Sequence, residues 1–483
     1  MHYRAIIRIL GLLIALFSVT MIPPAIVSLV YQDGSGLPFT LAFILCVIGG
    51  MALWYPNRQQ KNDLRAREGF LIVALFWTVL ASVGAIPLIL LEQPSMTITD
   101  AFFESFSGLT TTGATVIEGI DFLPHSVQFY RQQLQWLGGM GIIVLAVAIL
   151  PILGVGGMQL YRAETPGPVK DNKMTPRIAD TAKHLWYIYL SITIACAGAY
   201  WLAGMSVFDS ICHAFSTVAI GGFSNHDASL GYFNSPVVNV VCTVFLLIAA
   251  LNFSLHYAAV SSRSIKGYFK DPEFKAFFII QASLIGICFL VLTLSGYYSS
   301  AEQALDQAMI QAVSISTTAG FATTDFSVWP TFLPIMLIFS SFIGGCASST
   351  GGGLKVVRVC LLFLQGKREV DRLIHPKAVY SVKLGDRAMP DRVVEAVWGF
   401  FSAYAVVFVI IMIGLIATGL DNLSAFTATA AMLNNLGPGL GSVAANYADV
   451  SDAGKWILVT AMVFGRLEVF SLLVLFSPTF WRS

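Results

Sequence analysis

Ten apolar runs, near residues 4–30, 38–56, 68–91, 128–153, 184–204, 235–261, 273–296, 329–363, 392–418 and 454–478, each approach or exceed the ~20 residues a helix needs to cross a bilayer. In hydrocarbon every backbone polar group must be satisfied within the chain, which leaves helices or closed barrels, and runs of this length select helices. Composition agrees, with 56% hydrophobic and 11% charged residues against about 25% charged in soluble domains. The first run follows Arg4 and Arg8, is long for a signal segment and precedes no small-residue cleavage site, so it reads as a membrane helix. A formal net charge of +1 argues against a nucleic-acid partner. The seven cysteines lie scattered in apolar segments, which suits small packing residues better than disulfides or zinc ligands.

Between these runs lie four short, more polar segments that resemble one another. They are Phe102 to Thr115 (FFESFSGLTTTGAT), then stretches opening at Asp209 (DSICHAFSTVAIGGFS), Asp306 (DQAMIQAVSISTTAGF) and Asp421 (DNLSAFTATAAMLNNLGP). Each reads as an acid placed to cap a helix, a small or apolar helical turn, hydroxyl or amide residues, and a glycine. The matching glycines Gly113, Gly222, Gly320 and Gly437 recur about a hundred residues apart, the signature of an internal repeat. Glycine lets consecutive carbonyls face one way. A ring of such carbonyls is the usual replacement for a cation's water shell. Non-helical backbone at membrane depth is tolerated only where it is buried in protein or lines a wet cavity. The expectation is a pore.

The segments follow the third, fifth, seventh and ninth runs, so the last eight runs make four helix–pore loop–helix repeats behind a two-helix prefix. The expected fold is an all-α integral membrane protein built around a pseudo-four-fold pore. Its expected divisions are the prefix (1–67), repeat one (68–165), repeat two (166–267), repeat three with a Gly-rich intramembrane gate loop (268–380) and repeat four (381–483). Of 28 Lys and Arg, 25 fall in the termini and in 57–68, 154–183, 262–275 and 355–392. The positive-inside rule makes these regions and both termini cytoplasmic. The opposite loops carry Asp33, Glu92, Glu118, Asp121, Asp227, Glu302, Asp325, Asp449 and Asp452, either an acidic vestibule that gathers cations or plain solvated loop acids.

Two features break the four-fold pattern. In the eighth run, Gly344, Gly345, Cys346, Ala347, Ser348, Ser349, Thr350, Gly351, Gly352 and Gly353 precede Lys355 and a basic amphipathic stretch to Arg372. Glycine costs a helix about 1 kcal/mol relative to alanine, so this helix should break midway through the membrane. A flexible polar loop there suits a gate; close helix packing or a kink is the alternative. A phosphate-binding loop is ruled out because the required spacing and terminal Gly-Lys-Ser/Thr are absent. The second feature is Arg466, a charge deep in the last run where repeat one has Gly139. Such a charge marks either an electrostatic barrier that also holds the Gly-rich loop, or a structural ion pair. Arg131 reads as a surface residue that snorkels. His213 and His226 flank the second filter segment, where titration would modulate flux; ordinary hydrogen-bonded residues are the preferred reading, and no motif carries enzymatic chemistry.

This set of features resembles the Trk/Ktr/HKT superfamily of potassium transporters. The prefix, the TTTGA, IGGF, TAGF and NLGP filters and the break in repeat three are similar to the TrkH type, over essentially the whole chain. The resemblance implies potassium uptake, with Rb⁺ also passing, through a bacterial inner-membrane homodimer with one pore per subunit. It implies a TrkA-type cytoplasmic regulatory subunit that itself binds NAD and ATP, with no cofactor on this chain beyond the transported K⁺. By the same resemblance, the ion-coordinating carbonyls are those of Thr111, Thr112 and Gly113, of Ile220, Gly221 and Gly222, of Thr318, Ala319 and Gly320, and of Asn435, Leu436 and Gly437. The gate is the loop 344–353 with Arg466 beneath it. One matched glycine per repeat suggests looser K⁺/Na⁺ discrimination than a filter with several carbonyl rings. Coupling of K⁺ to H⁺ or Na⁺ stays open as the second mechanism, with Glu104 and Glu468 as candidate relay carboxylates. The basic loops 154–183 and 355–392 are candidate docking surfaces for the regulator, although positive-inside bias alone explains most of their charge.

Overall fold

The computed structural model describes residues 2–59, 66–149, 178–385 and 387–481. Within them the chain is almost wholly helical, and a two-stranded hairpin (Lys383–Leu384 with Arg387–Ala388) is the one sheet among the described residues. Among the described residues six helices are long and apolar enough to cross a membrane, and they fall on the first, second, third, fifth, seventh and ninth expected spans. The other four spans, the second helices of the repeats, are each interrupted. His125–Ile149 carries non-helical backbone at Gly141. Pro236–Ala249 and Phe253–Ser262 meet at 88°. Leu333–Ser341 is separated from Val356–Ile374 by the Gly-rich loop, and Asp452–Arg466 from Glu468–Phe476 at Leu467. The sequence reading expected such a break in repeat three alone; the structure places one in every repeat.

The prefix runs Tyr3–Ser18, a 3₁₀ turn, Ile22–Tyr31, then back along Gly36–Trp54. Pro23 and Pro24 withhold two N–H donors, which explains the break in the first helix. Its two helices nearly touch at Gly11 and Gly50, where a Cβ on either residue would press on the other's carbonyl.

Between the helices of each repeat lies a short pore helix: Ile98–Leu109, Val207–Ala219, Ala301–Ser316 and Asn422–Leu433. Their caps depart from the expected acids. Thr97, Ser206 and Ser300 cap the first three, each accepting from the N–H three residues on, and only Asp421 is itself a cap. A short hydroxyl reaches that N–H, while Asp100 and Asp209 sit one turn inside and favour the helix dipole. Asp306 lies further inside its helix.

Polarity is inverted relative to a soluble domain. Leu29, Leu202 and Leu294 are exposed on the outside, whereas Thr110, Thr112, Thr217, Thr317, Thr318 and Asn434 are fully buried where the pore helices end. An apolar rim around a polar axis is what a lipid solvent selects.

Candidate functional site

Each pore helix ends in the same backbone figure. A non-glycine residue turns left-handed: Thr111 (φ 55°), Ile220 (54°), Thr318 (71°) and Asn435 (52°). The next residue's N–H reaches back into the helix, from Thr112 to Ser107 O (2.9 Å), Gly221 to Ser216 O (2.8 Å), Ala319 to Ser314 O (2.8 Å) and Leu436 to Ala431 O (2.7 Å). The glycine after it is also left-handed, at φ 80°, 76°, 82° and 95° for Gly113, Gly222, Gly320 and Gly437. A left-handed non-glycine residue carries strain and persists only where its surroundings over-determine it; here four unrelated side-chain sets adopt it.

The four turns close on one another. A Cβ on Gly113 would collide with Gly221 O, one on Gly222 with Ala319 O, one on Gly320 with Leu436 O, and one on Gly437 with Thr112 O. The middle carbonyl of each segment therefore occupies the space its neighbour's glycine leaves open, in the cyclic order one, two, three, four, one. All twelve expected filter positions fall in these turns.

Side chains brace the ring from behind. Gln135 donates to Gly221 O (2.6 Å) and accepts from Phe223 N–H (3.1 Å). Asn435 donates to Thr112 Oγ1 (2.9 Å) and Met462 O (3.1 Å), linking segments four and one. Tyr447 donates to Gly437 O (2.8 Å). Arg131 is not a snorkelling surface residue: it pairs with Glu104 (2.6 Å), and each side chain is 1% exposed. The guanidinium also donates to Ser224 O (3.3 Å) and Thr115 Oγ1 (3.2 Å) and lies 4.2 Å from the Phe223 ring centre. Glu104 accepts from Val116 N–H (3.2 Å) as well. The pair ties segment one to segment two.

On one side of the ring lies a cavity of about 550 Å³ lined by all four turn glycines, with Asp227 and Asp325 among its walls. Asp33, Glu118 and Asp121, also expected in the vestibule, are held in structural bonds. Asp33 accepts from Ser126 N–H (2.8 Å) and Glu118 from Asn446 (3.3 Å). Asp121 binds His226 Nδ1 (2.5 Å), whose Nε2 lies 3.6 Å from Asp209, and the imidazole stacks on Tyr232 with ring centres 3.4 Å apart. Burial disfavours the imidazolium, but bonds to Asp209 and Asp121 outweigh it and raise His226 above the usual histidine range. His213 is buried and bonds Asp209 O and Ser224 Oγ (both 2.9 Å).

On the other side of the ring the loop 344–353 packs against the ends of the pore helices, held from four sides. Gly352 N–H donates to Thr318 Oγ1 (2.7 Å), Gly353 N–H to Asn434 O (3.1 Å) and Thr350 Oγ1 to Val218 O (3.0 Å). The fourth side is Arg466, which donates to Thr350 O (3.2 Å), Thr111 Oγ1 (3.4 Å), Gly138 O (2.5 Å) and Gly139 O (3.3 Å). Gly344, Gly353 and Ser348 are left-handed (φ 69°, 72°, 56°), and Lys355 Nζ donates to Gly351 O. Gly345 accepts from Val356 N–H (3.1 Å), and Ser349 lies beside Gly345.

One residue of this assembly escaped the sequence reading. Glu273, buried in the first turn of Pro272–Leu294, accepts from Ala347 N–H in the loop (2.7 Å) and from Val357 N–H just after it (3.1 Å). An acid in a first turn is the ordinary helix pattern, so only the distant backbone it holds reveals it. The side chain of Glu468 and most of loop 154–183 lie outside the described residues.

The family described as TrkH, cation transport protein, matches residues 35–483. The Trk system potassium uptake protein TrkH of Vibrio parahaemolyticus serotype O3:K6 is 64% identical over all of both chains. That of Escherichia coli K12 is 63% identical over all of both chains, and the K12 protein TrkG is 42% identical over all of this chain and 99% of its own. The crystal structure of the potassium transporter TrkH from Vibrio parahaemolyticus superposes with a TM-score of 0.92 at 62% identity over all of both chains.

Two outcomes follow from the braces. Removing one partner of a buried ion pair costs about 3–5 kcal/mol, whereas replacing both is far milder. Glu104→Gln or Arg131→Met alone is therefore expected to lower the melting temperature in detergent sharply, and the double variant to recover most of it. For His226 the raised pKa means its clamp is fully formed below about pH 6.5 and is lost as pH rises through the folded-state pKa. Thermal stability should fall across that window in the native protein and stay flatter in His226→Gln.

Proposed function

The chain belongs to the TrkH family of cation transport proteins, and we propose that it takes up potassium across the bacterial inner membrane through a gated pore at the centre of its four repeats. The observation that carries this reading is the closed ring of four glycine turns, open to a cavity outside and covered by a loop inside. Its backbone carbonyls are hard oxygen donors in a fixed frame, suited to replacing the hydration of K⁺ and of Rb⁺. The protein is a multi-pass membrane transporter, not an enzyme.

Within this proposal the ions meet the carbonyls of residues 111–113, 220–222, 318–320 and 435–437, and the domain limits are those given by the repeat. Loop 344–353 with Arg466 is the gate. A cation leaving the ring inward meets a fixed guanidinium and a wall of backbone, so conduction requires the loop to move. Coupled transport is the weaker reading, because Glu104 is locked to Arg131 and poorly placed to relay protons. A homodimer with one pore per subunit, cytoplasmic termini, and a TrkA-type regulator carrying NAD and ATP complete the proposal. Support for the docking site comes from the helix Val356–Ile374, which continues directly from the gate loop and presents Lys367 and Arg372 to solvent.

Rubidium uptake into liposomes holding the purified protein, with and without a proton gradient, tests the whole. Uptake that follows the electrochemical gradient alone supports the pore; uptake that waits for a proton gradient supports symport. In the same assay, Glu273→Ala should free Ala347 N–H in the loop and Val357 N–H just after it and raise basal flux several-fold, while Glu273→Gln, which keeps an acceptor oxygen, should stay near the native rate. Unchanged flux in Glu273→Ala would show that this carboxylate does not restrain the gate. At Gly113, a Cβ meets both a positive φ and Gly221 O, so Gly113→Ser should move the K⁺/Na⁺ permeability ratio toward one. An unchanged ratio would remove Gly113 from the filter.

A further inference from the structure

The cavity lined by the four turn glycines also has His226 and Asp227 in its wall. His226 is where two repeats meet. Its Nδ1 lies 2.5 Å from Oδ1 of Asp121, in the segment after Gly113 of repeat one. Its Nε2 lies 3.6 Å from Oδ1 of Asp209, in the second pore helix. Both carboxylates are engaged as acceptors elsewhere too. Asp121 accepts from Asp227 N–H (3.2 Å), and Asp209 from Asn225 Nδ2 (2.9 Å) and Ser206 Oγ (2.8 Å). A proton held by this group therefore belongs to the imidazole. A neutral ring carries one N–H and serves one carboxylate, which leaves a lone pair turned to the other; only the imidazolium presents an N–H to both. The Tyr232 ring stacked on it adds a face that favours a cation.

The other charged and titratable groups around His226 leave its proton uncompensated. His213, with its ring centre 6.3 Å away, is satisfied as a neutral ring: Nδ1–H donates to Asp209 O, and Nε2 accepts from Ser224 Oγ, whose oxygen accepts from His226 N–H (3.1 Å). Arg131, which reaches Ser224 O, is neutralised by Glu104. Asp227 adds a negative charge to the cavity wall. Release of the His226 proton takes the trio of His226, Asp121 and Asp209 from a net charge of −1 to −2. A more negative wall raises the local supply of cations. We propose that His226, with Asp121 and Asp209, is a proton site at the cavity-side mouth of the pore, and that its occupancy sets the apparent affinity for the transported cation, lower with the proton bound and higher with it released. This inference rests on the reading of the chain as a K⁺ pore whose cavity faces outside. Against burial, which lowers it, the bonds to Asp209 and Asp121 hold His226 above the usual histidine range, so release comes as external pH climbs above about 6.5. The site lies on the cavity side of the ring and the proposed gate on the other, so the effect falls on KM and the maximal rate stays with the gate.

Rubidium uptake into spheroplasts carrying the full chain, from a host without other potassium uptake and with internal pH held constant, tests this. As external pH rises from about 5 to about 8.5, the native KM for Rb⁺ is expected to fall several-fold at a steady maximal rate. His226→Gln should show the lower KM throughout. Asp121→Asn should move the midpoint of the native curve to lower pH, a change that a merely structural role would not produce. Should the glutamine variant fail to fold, His226→Lys is expected to hold KM at the higher value across the range. A native KM indifferent to external pH overturns the proton site, and a pH dependence that survives in His226→Gln overturns its assignment to His226. A change confined to the maximal rate overturns its action on affinity. Uptake absent at every pH would count against the pore itself, and the proposal would fall with it.

Discussion

Everything at the centre of this molecule depends on the approach of one peptide carbonyl to the α-carbon of a glycine in the next repeat. That contact recurs around the ring, at Gly113, Gly222, Gly320 and Gly437, and any side chain at those positions would occupy the space of an oxygen. Because each contact joins consecutive repeats and the last joins four back to one, no repeat can shift without opening two contacts. The braces serve the same end. Glu104 with Arg131, Gln135, and Asn435 each join one segment to the next, and each does so with buried groups whose loss has no water to compensate it.

Much of this is legible in the chain. Apolar run length picks out the spans, and the repeated glycine locates the four turns, because both are local properties of sequence. The breaks in the second helices are legible only where composition is extreme. Five glycines in the loop 344–353 announce one break; Gly141, the 250–252 corner with its 88° bend, and Leu467 do not, since no extreme of local composition marks them. Arg131 shows the same limit. A lone arginine near a helix end looks like an interfacial residue until the carboxylate brought to it by another helix is known. Glu273 was hidden for a related reason: an acid near a helix start has an ordinary local explanation, and its actual partners lie across the fold.

The breaks in the second helices also explain how the inner side is built. A helix that ends at mid-depth leaves carbonyls without helical partners. Here these become acceptors for Arg466 and the glycine-rich loop: Arg466, itself at the end of a broken helix, reaches Gly138 O and Gly139 O just ahead of Gly141, and Cys346 N–H reaches Ala250 O at the bend in repeat two (2.8 Å). The interruption of repeat three supplies the loop, and those of the other repeats supply its sockets.

Ring and gate therefore obey different symmetry. The ring uses one backbone figure four times, which any tandem repeat provides. The proposed gate uses one glycine-rich loop and one arginine, contributed by repeats three and four, with Glu273 holding the loop from a third helix. A homotetramer could not place a single arginine without placing four, and four guanidinium groups beneath a cation ring would repel one another and close the path to cations outright. Joining the repeats in one chain removes that constraint. In the proposed gate one charge is enough to oppose a cation at the inner mouth, and its bonds to Thr350 O, Gly138 O and Gly139 O fix where that charge sits. Movement of the loop alone would break the Thr350 contact while Gly138 and Gly139 still hold the guanidinium, so the proposed opening need not displace the arginine.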